Sequence, residues 1–319
     1  MHIALKKSTV FLPARHSVTL VLRYMFLIAL TSVLGACGNS GTQVYQPEFS
    51  AMPVATGPEY VFGIHPQRNP EKLRAVFGPL IGYLNKHVQG ATFVFEASRS
   101  YAAFDQKLYG RQFAFVLPNP YETVKATEKG YRVFAKMGDD DDLRGLILVR
   151  RDSGISNVFH LKGKAVSFPA PTALAATLMP KLFLQTHGLN VNSDIQPLYV
   201  GSMESSIMTV YMRNAAAGTA YPPAWRMFKK EQPKIAAELK VLWETDSLPN
   251  NSVMARDDVP RDLVDRVAQA LFTMQTNPEG RAVLARMDLS AFEPASNETY
   301  DPVRVFLQKY QAALGPLNQ

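Results

Sequence analysis

The stretch SYAAFDQKLYGRQFAFVLPNPYETVKATEKG, residues 100–130, decides the fold class, because a helix, a strand and a second helix follow one another within it. Residues 100–109 have the spacing of an amphipathic helix, residues 113–117 form a short apolar strand, and residues 121–130 return to helical spacing. Strands that alternate with helices of about 10 to 15 residues are typical of βαβ units around a parallel sheet. The stretch therefore predicts an α/β fold.

The same alternation extends in both directions and forms two series. The first series begins near Tyr60, and the second begins after a long extended run at residues 143–151. Two βα series joined by two long extended connections predict two Rossmann-like lobes with a ligand cleft between them. In such open α/β sheets, ligands bind outside the carboxyl ends of the strands. The predicted strands are 60–64, 92–96, 113–117, 164–168, 195–199, 240–245 and 252–255, and the further helices are 72–87, 174–187, 203–214, 261–275, 278–285 and 303–314.

The series and the composition divide the chain into four predicted segments. The sequence between Gly38 and Pro58 is rich in Gly, Ser, Thr, Gln and Pro, which is typical of a flexible tether. We place the crossovers between the lobes at residues 152–155 and in the segment before Val259. The segments are a lipoprotein signal peptide at 1–36, the tether at 37–58, a first lobe at 59–147 plus 250–319, and a second lobe at 148–249.

The first 36 residues have the organisation of a cleaved export signal. Four basic residues precede or flank a short apolar run at 25–34, and small residues follow it. The apolar run ends after about 12 residues, whereas about 20 are needed to span the hydrocarbon core of a bilayer. The pattern favours a cleaved leader over a membrane-spanning anchor.

Cys37 is the only cysteine in the 319 residues, and it follows Leu34-Gly35-Ala36. This sequence resembles the lipobox of bacterial lipoproteins, in which the cysteine thiol is acylated and becomes the new N-terminus. The resemblance implies that Cys37 is the lipidation site and that the chain is anchored by lipid on the periplasmic side of the cell envelope. The alternative is an ordinary secretory signal that leaves a free thiol.

Charge and histidine spacing indicate neither a nucleic-acid partner nor a metal. The formal charge is +7, but the leader contributes four of these charges, and the remaining basic residues are scattered without a basic and aromatic stripe. The six histidines lack a second ligand at metal-site spacing. We expect no metal site, no cofactor, no nucleic-acid partner and, with a single cysteine, no intrachain disulfide. The histidines are His2, His16, His65, His87, His160 and His187.

Four strand-to-helix junctions have the composition of anion-binding helix starts. A helix N-terminus presents unpaired backbone N–H groups and roughly half a positive charge. If these helix starts face one cleft, they form a site for a phosphate-like or carboxylate group. The alternatives are that the polar residues only cap their own helices and that the tyrosines only pack in the core. The candidate ligand-binding residues are Ser100, Tyr101, Asn119, Tyr121, Thr172, Ala173, Ser202 and Tyr221.

Several segments between residues 58 and 315 resemble a known family. The segments are Phe62-Gly63-Ile64-His65-Pro66, Leu80 to Leu84, Phe115 to Tyr121, and Arg151-Asp152-Ser153-Gly154-Ile155 followed by Leu161-Lys162-Gly163-Lys164. They are similar to those of PhnD-type substrate-binding proteins, which bind phosphate, phosphite or phosphonates for ABC transporters. The resemblance implies a type II periplasmic binding-protein fold, whose lobes close on a ligand by hinge motion.

The ligand positions of that family are only partly retained. Where the family commonly has a Ser-Thr-Ser-Gly-like turn, this chain has Pro171-Thr172-Ala173-Leu174, which keeps one hydroxyl. The family's Gly-Ser-His is here Gly201-Ser202-Met203, and its acidic residue after the next helix falls within residues 215–217, which are alanines. A buried oxyanion needs its hydrogen bonds satisfied. The loss of donors points to a weaker, less charged or differently shaped ligand.

The predicted function is therefore a lipid-anchored solute-binding protein. It captures a small oxyanion or an anionic organic solute and presents it to an ABC permease. The alternative is a sensor in which the same lobes dock on a membrane receptor kinase or cyclase. We predict no enzyme activity, since the sequence has no Gly-x-Ser-x-Gly, no phosphate-binding Gly-rich loop and no His-Glu-x-x-His.

The lipoprotein interpretation predicts that Cys37→Ser releases the protein from the membrane fraction, because the serine hydroxyl does not replace the acylated thiol. Fractionation followed by mass spectrometry of the mature N-terminus measures both the location and the lipid. A wild-type chain without lipid, or a Ser variant that stays with the membrane, would leave only the secretory alternative.

Overall fold

The computed structural model describes residues 57–317, so the predicted signal peptide, Cys37 and most of the predicted tether lie outside the described residues. Eleven strands form two mixed sheets in this part of the chain. The predicted α/β class and two-lobe organisation are confirmed. The strands are β1 (Glu59–Ile64), β2 (Thr92–Ala97), β3 (Phe115–Leu117), β4 (Tyr131–Met137), β5 (Leu146–Arg150), β6 (Lys164–Phe168), β7 (Ile195–Tyr199), β8 (Ala217–Ala220), β9 (Leu239–Glu244), β10 (Ser252–Arg256) and β11 (Phe292–Pro294).

The first sheet has six strands in the order β11-β4-β10-β3-β1-β2. Strand β1 pairs in parallel with β2 and β3, while β10 is antiparallel to both β3 and β4. All three residues of β3 are buried, which is expected for a central strand with both faces covered. The parallel strands therefore end at one edge of the sheet, at His65 and Pro118.

The second sheet has five strands in the order β7-β6-β8-β5-β9. Strand β6 pairs in parallel with β7 and β8, and β5 is antiparallel to β8 and β9. Each lobe thus combines parallel βα units with a strand that arrives from the other lobe, which is β10 in the first sheet and β5 in the second.

Ten α-helices pack against these sheets within residues 57–317. A π-helical turn at Leu174–Leu178 leads directly into the helix that begins at Met179. The helices are α1 (Pro70–His87), α2 (Tyr101–Tyr109), α3 (Pro120–Thr127), α4 (Met179–Thr186), α5 (Met203–Tyr211), α6 (Pro222–Glu231), α7 (Pro233–Ala237), α8 (Arg261–Phe272), α9 (Pro278–Met287) and α10 (Asp301–Leu314).

The chain crosses between the sheets at residues 138–145 and 245–251. The prediction of a crossover at residues 152–155 is wrong, because these residues follow β5 and lie inside the second lobe. Strand β5 begins at Leu146, two residues before the predicted start of that lobe at 148. The extended run at 143–151 contains both the end of a crossover and a strand, which sequence composition does not separate.

The two crossovers run side by side and bond to each other. The Leu248 amide donates to the Leu143 carbonyl at 3.1 Å, and the Thr245 amide donates to the Gly145 carbonyl at 2.9 Å. The Asn250 side chain adds a bond from its Nδ2 to the Gly138 carbonyl at 2.6 Å. These bonds make one two-stranded connection between the lobes.

Five further elements were not predicted. Strands β4, β8 and β11 and helices α6 and α7 fall in segments where the periodicity predicts no element. Strand β8 reads Ala-Gly-Thr-Ala, all four residues of which are buried. Small residues carry little strand signal, and here they are required because helix α5 lies against the strand. Gly218 in β8 approaches the Ser206 carbonyl and Val210 of α5.

Gly218 is crowded and Gly82 is not, so substitution of each by alanine should change stability in opposite directions. In Gly218→Ala the new methyl group would lie 2.6 Å from the Ser206 carbonyl oxygen, so we expect the free energy of unfolding to fall by about 1–3 kcal/mol. Gly82 is exposed within α1, and a Cβ there meets nothing within 4 Å. Gly82→Ala should therefore raise the same quantity by about 0.5–1 kcal/mol. Urea denaturation of both variants measures the two shifts, and a neutral Gly218→Ala would contradict the packing of α5 on β8.

Candidate ligand-binding site

A small cavity lies between the lobes, at the carboxyl ends of the parallel strands of the first sheet. It has an empty volume of about 280 Å³. The first lobe contributes residues that follow β1, β2 and β3 and the residue that precedes β10. The second lobe contributes the start of the π-helical turn and the starts of α5 and α6. The lining residues are His65, Tyr101, Asn119, Pro120, Leu143, Ala173, Leu174, Ala175, Ala176, Met203, Tyr221 and Asn251.

The second-lobe wall is the N-terminus of the helix that runs from Leu174 through α4. The Ala173 carbonyl accepts from the Thr177 and Leu178 amides, so the first intrahelical bonds begin there. The amides of the first helical turn have no preceding carbonyl in the helix to pair with. Small side chains at residues 173, 175 and 176 leave the backbone close to the cavity. This wall can therefore hold an oxyanion through main-chain N–H groups.

Tyr101 supplies a hydroxyl on the first-lobe wall. Its side chain is buried, and its hydroxyl has no hydrogen-bond partner among the described residues. Burial raises the pKa of this phenol well above its usual value, so the phenol keeps its proton. An unpaired buried hydroxyl costs about 1–3 kcal/mol. A ligand oxygen at this position would remove that cost.

His65 and Asn251 form a buried pair on the same wall. The Asn251 Nδ2 lies 3.3 Å from His65 Nε2, while His65 Nδ1 and Asn251 Oδ1 are buried without a partner among residues 57–317. The His65 ring packs edge-on against Tyr101, with the ring centroids 6.1 Å apart. Burial lowers the pKa of His65 to about 3, so the imidazole is neutral at any pH above that value.

Two carboxyl groups lie beside the cavity without lining it. Asp105 is on α2, one turn after Tyr101, and Glu122 is in the first turn of α3. Burial raises the pKa of Asp105 to about 6 and holds the pKa of Glu122 well above its usual range. Glu122 Oε2 accepts from the Asn119 amide at 2.8 Å. The negative charge of Asp105 raises the pKa of Glu122 further, so burial and charge both favour the protonated form of Glu122.

Direct contacts join the two lobes around the cavity. Asn119 Nδ2 donates to the Thr172 carbonyl at 3.2 Å, and Thr172 Oγ1 donates to Asp105 Oδ2 at 3.3 Å. The Tyr221 hydroxyl donates to Gln67 Oε1. One apolar cluster also contains side chains of both lobes, among them Phe113 and Leu174. The structure is therefore that of closed lobes.

Charged pairs cross the rim of the cleft. Lys72 Nζ on α1 lies 2.9 Å from Glu204 Oε2 and 2.8 Å from Glu231 Oε2, both in the second lobe. These side chains are between a third and two-fifths exposed. Exposed ion pairs are each worth roughly 0–1 kcal/mol, so the rim favours closure without locking it.

The structure brings together half of the predicted site residues. Tyr101, Asn119, Ala173 and Tyr221 line the cavity. The other four do not line it. Ser100 and Ser202 accept from backbone amides as N-caps of α2 and α5, Tyr121 lies in the apolar core beneath α3, and Thr172 contacts Asp105 at the lobe interface.

The sequence prediction missed His65, Asn251, Asp105 and Glu122. His65 immediately follows β1, and a polar residue at the end of a parallel strand was an available signal. The spacing of histidines indicates only whether they can share a metal, so it does not predict a ligand-binding role for His65. Asn251 gave no local signal, since it lies at the end of a crossover. Within residues 57–317 no group of three His, Cys, Asp or Glu side chains is placed to hold a metal ion.

A larger groove lies away from these strand ends, between α4, the crossover at 245–251 and α10. Its empty volume is about 1180 Å³. None of the unpartnered buried side-chain atoms in the described part of the chain belongs to its lining. Five such residues lie on or beside the smaller cavity, namely His65, Tyr101, Asp105, Glu122 and Asn251. The smaller cavity is therefore the better candidate.

Comparison with known proteins assigns the chain to a family. A family model described as the periplasmic substrate-binding protein of a phosphonate ABC transporter matches residues 62–300. The chain belongs to this family. The predicted resemblance, the type II periplasmic binding-protein fold and the role as a transporter substrate-binding protein are confirmed, and the sensor alternative is not favoured.

Relatives support the same assignment at low identity. The phosphonates-binding periplasmic protein of Escherichia coli is 22% identical over 251 residues, which cover 76% of this chain and 74% of that protein. The binding protein component of an ABC phosphonate transporter from Pseudomonas aeruginosa superposes with a TM-score of 0.74 at 17% identity, over 81% of this chain and 88% of the other. PhnD1 from Prochlorococcus marinus, solved with methylphosphonate, superposes with a TM-score of 0.72 at 18% identity, over 79% of this chain and 97% of that chain. No helix among residues 57–317 is long and apolar enough to cross a membrane.

The buried carboxyl pair predicts a pH-dependent stability. Because the folded-state pKa of Asp105 is raised to about 6, the folded state binds more protons than the unfolded state between about pH 4 and pH 6. The free energy of unfolding therefore falls as the pH rises through that window, because the buried Asp105 carboxyl then loses its proton. Asp105→Asn should therefore raise the melting temperature relative to wild type at pH 7.5 and much less at pH 4.5. The matched control is the exposed Asp265→Asn, which should show no such change of effect with pH. An Asp105→Asn effect that is the same at both pH values would be inconsistent with a buried, ionising Asp105.

Proposed function

We propose that this chain binds a small oxyanion of the phosphonate class in the cavity between its lobes and delivers it to an ABC permease. One observation carries the proposal. A cavity at the strand ends combines a free helix N-terminus with buried hydroxyl, imidazole and amide atoms that lack partners. These are the groups that an oxyanion satisfies.

The binding free energy would come from the pairing of groups that closure has already removed from water. Hydrogen bonds to a charged group are worth about 1.5–3 kcal/mol each. The Tyr101 hydroxyl and the first-turn amides after Ala173 come from different lobes, so a ligand between them links the lobes directly. Closure around an empty cavity would leave these groups unpaired. This difference makes closure depend on the ligand.

Ligand release would need only modest work once the permease engages the lobes. The rim pairs of Lys72 are exposed and weak, and within residues 57–317 the backbone passes between the two sheets only through the paired crossovers. We propose no chemistry on the ligand. Family membership supports a transport role, in which the solute is bound and released unchanged.

The location that we propose is the periplasmic face of a membrane, with a lipid on Cys37 as the anchor. The basis is the sequence Leu34-Gly35-Ala36-Cys37 together with the family's periplasmic role. The tether after Cys37 would let the lobes reach a permease in the same membrane. A chain released by cleavage without lipid is the competing arrangement.

The proposal predicts that two Tyr→Phe substitutions separate binding from stability. Tyr101→Phe removes an unpartnered hydroxyl, so affinity for an oxyanion should fall about tenfold to a hundredfold, while the unliganded protein should be no less stable. Tyr131→Phe is the matched control. Its hydroxyl donates to the Phe113 carbonyl at 2.7 Å, away from the cavity, so stability should fall by about 1 kcal/mol with affinity unchanged.

Isothermal titration calorimetry with phosphate, phosphite and methylphosphonate, and thermal denaturation without ligand, measure the two quantities. Native affinity in Tyr101→Phe for every oxyanion that the wild type binds would remove this cavity as the binding site. Absence of binding to all three oxyanions by the wild type would contradict the proposed function itself.

A further inference from the structure

The His65–Asn251 pair offers a ligand one hydrogen-bond donor and one acceptor. Both residues line the cavity and are nearly fully buried, with exposed fractions of 3% and 2%. Their facing atoms, His65 Nε2 and Asn251 Nδ2, bond to each other at 3.3 Å. Each side chain then has one further polar atom, which is Nδ1 in His65 and Oδ1 in Asn251. Neither atom has a hydrogen-bond partner among the described residues.

This donor and acceptor count does not depend on how the amide is turned. With Asn251 Nδ2 donating to Nε2, the imidazole proton is on Nδ1, so Nδ1 donates and Oδ1 accepts. With the amide reversed, Oδ1 accepts from Nε2–H, so Nδ1 accepts and the amide nitrogen donates. A neutral imidazole carries a single proton in both cases. The pair always needs a ligand that both accepts and donates.

The charge around the cavity limits the ligand independently. None of the described residues that line the cavity is lysine or arginine. Burial and the charges of Glu122, Tyr221 and Asp105 raise the pKa of the Tyr101 phenol. These three groups are neutral or negative. The lining itself offers a doubly charged anion only dipoles, so the cavity favours a single charge.

We propose that the His65–Asn251 pair selects an oxyanion that carries an acidic proton, namely the monoanion of a phosphonate or of a related phosphorus oxyacid. The P–OH group donates to the acceptor of the pair, and a P–O⁻ oxygen accepts from its donor. A sulfonate has the same shape and charge but no O–H group, so one of its oxygens faces the acceptor. The selection rests on the proposed function, because it acts in the same cavity.

Methylphosphonate and methanesulfonate are the matched probes. They differ in the central atom and in the proton that the phosphonate monoanion retains. At pH 6.5, calorimetry should show methanesulfonate binding about tenfold to a hundredfold more weakly than methylphosphonate. Above the second pKa of the ligand, affinity for methylphosphonate should fall by about tenfold for each pH unit, because the free ligand loses the proton that the bound monoanion keeps.

Methanesulfonate controls for the protein's own titration, since it has no second proton to lose. The titratable groups on or beside the cavity are Tyr101 and Asp105 on α2, Glu122 on α3, and Tyr221 before α6, and the charge of Arg68 acts on Tyr221. Any change in their charge affects both ligands, whereas the loss of the ligand proton affects only methylphosphonate. The pH dependence of the ratio of the two affinities therefore reports only the effect of the ligand's own proton.

The variant Asn251→Leu removes the amide at nearly constant volume and should bring the ratio of the two affinities close to one. The control Asn277→Leu, at the N-cap of α9, should lower the melting temperature and keep the wild-type ratio. Equal affinity of the wild type for both ligands, or a methylphosphonate affinity that does not fall with pH, would overturn the selection while leaving oxyanion binding intact. No binding of either ligand would instead contradict the proposed function and the selection together.

Discussion

The bond from the Asn250 side chain to the Gly138 carbonyl, at 2.6 Å, is the constraint on which the site depends. It ties one crossover to the other where both leave the first sheet. The Tyr300 hydroxyl donates to the Asn250 carbonyl, and Asn250 Oδ1 accepts from the Asn251 amide at 2.8 Å. Because Asn250 is held from three sides, Asn251 is placed against His65 on the wall of the cavity. The connection between the lobes is therefore also the support of the candidate site.

The proposed site would bind an oxyanion by neutral donors and not by opposite charge. Tyr101, His65 and Asn251 carry no charge near neutral pH, and the second-lobe wall contributes a helix N-terminus with roughly half a positive charge. The carboxyl pair of Asp105 and Glu122 adds negative charge behind this wall of donors. Such an environment can accept one negative charge and opposes a second. Residues 171–174 offer a single side-chain hydroxyl, that of Thr172. The neutral donors of Tyr101, His65 and Asn251 would compensate for the hydroxyl donors that the family commonly has at this turn.

Most of the fold could be predicted from periodicity, because the helices and the long apolar strands carry their own local signal. Strands β4, β8 and β11 could not. Strand β8 is made of Ala, Gly and Thr, and its strand character comes from pairing with β5 and β6 and from the close approach of α5. The crossovers were misplaced for a related reason. An extended backbone looks the same in sequence whether it continues a strand or connects two lobes, and only the pairing of β5 with β8 and β9 distinguishes the two.

By itself the sequence determined the α/β alternation and the polar residues that begin each helix after a strand, and it predicts an export leader at residues 1–36. These are local properties, set by side-chain period, charge and helix capping. The tertiary structure alone decided which residues at these helix starts line the cavity. Tyr101, Asn119, Ala173 and Tyr221 do, whereas Ser100 and Ser202 only cap their helices. It also brought together His65 and Asn251, which are 186 residues apart. Their pairing depends on the return of the chain through the second crossover, and no local pattern encodes that contact.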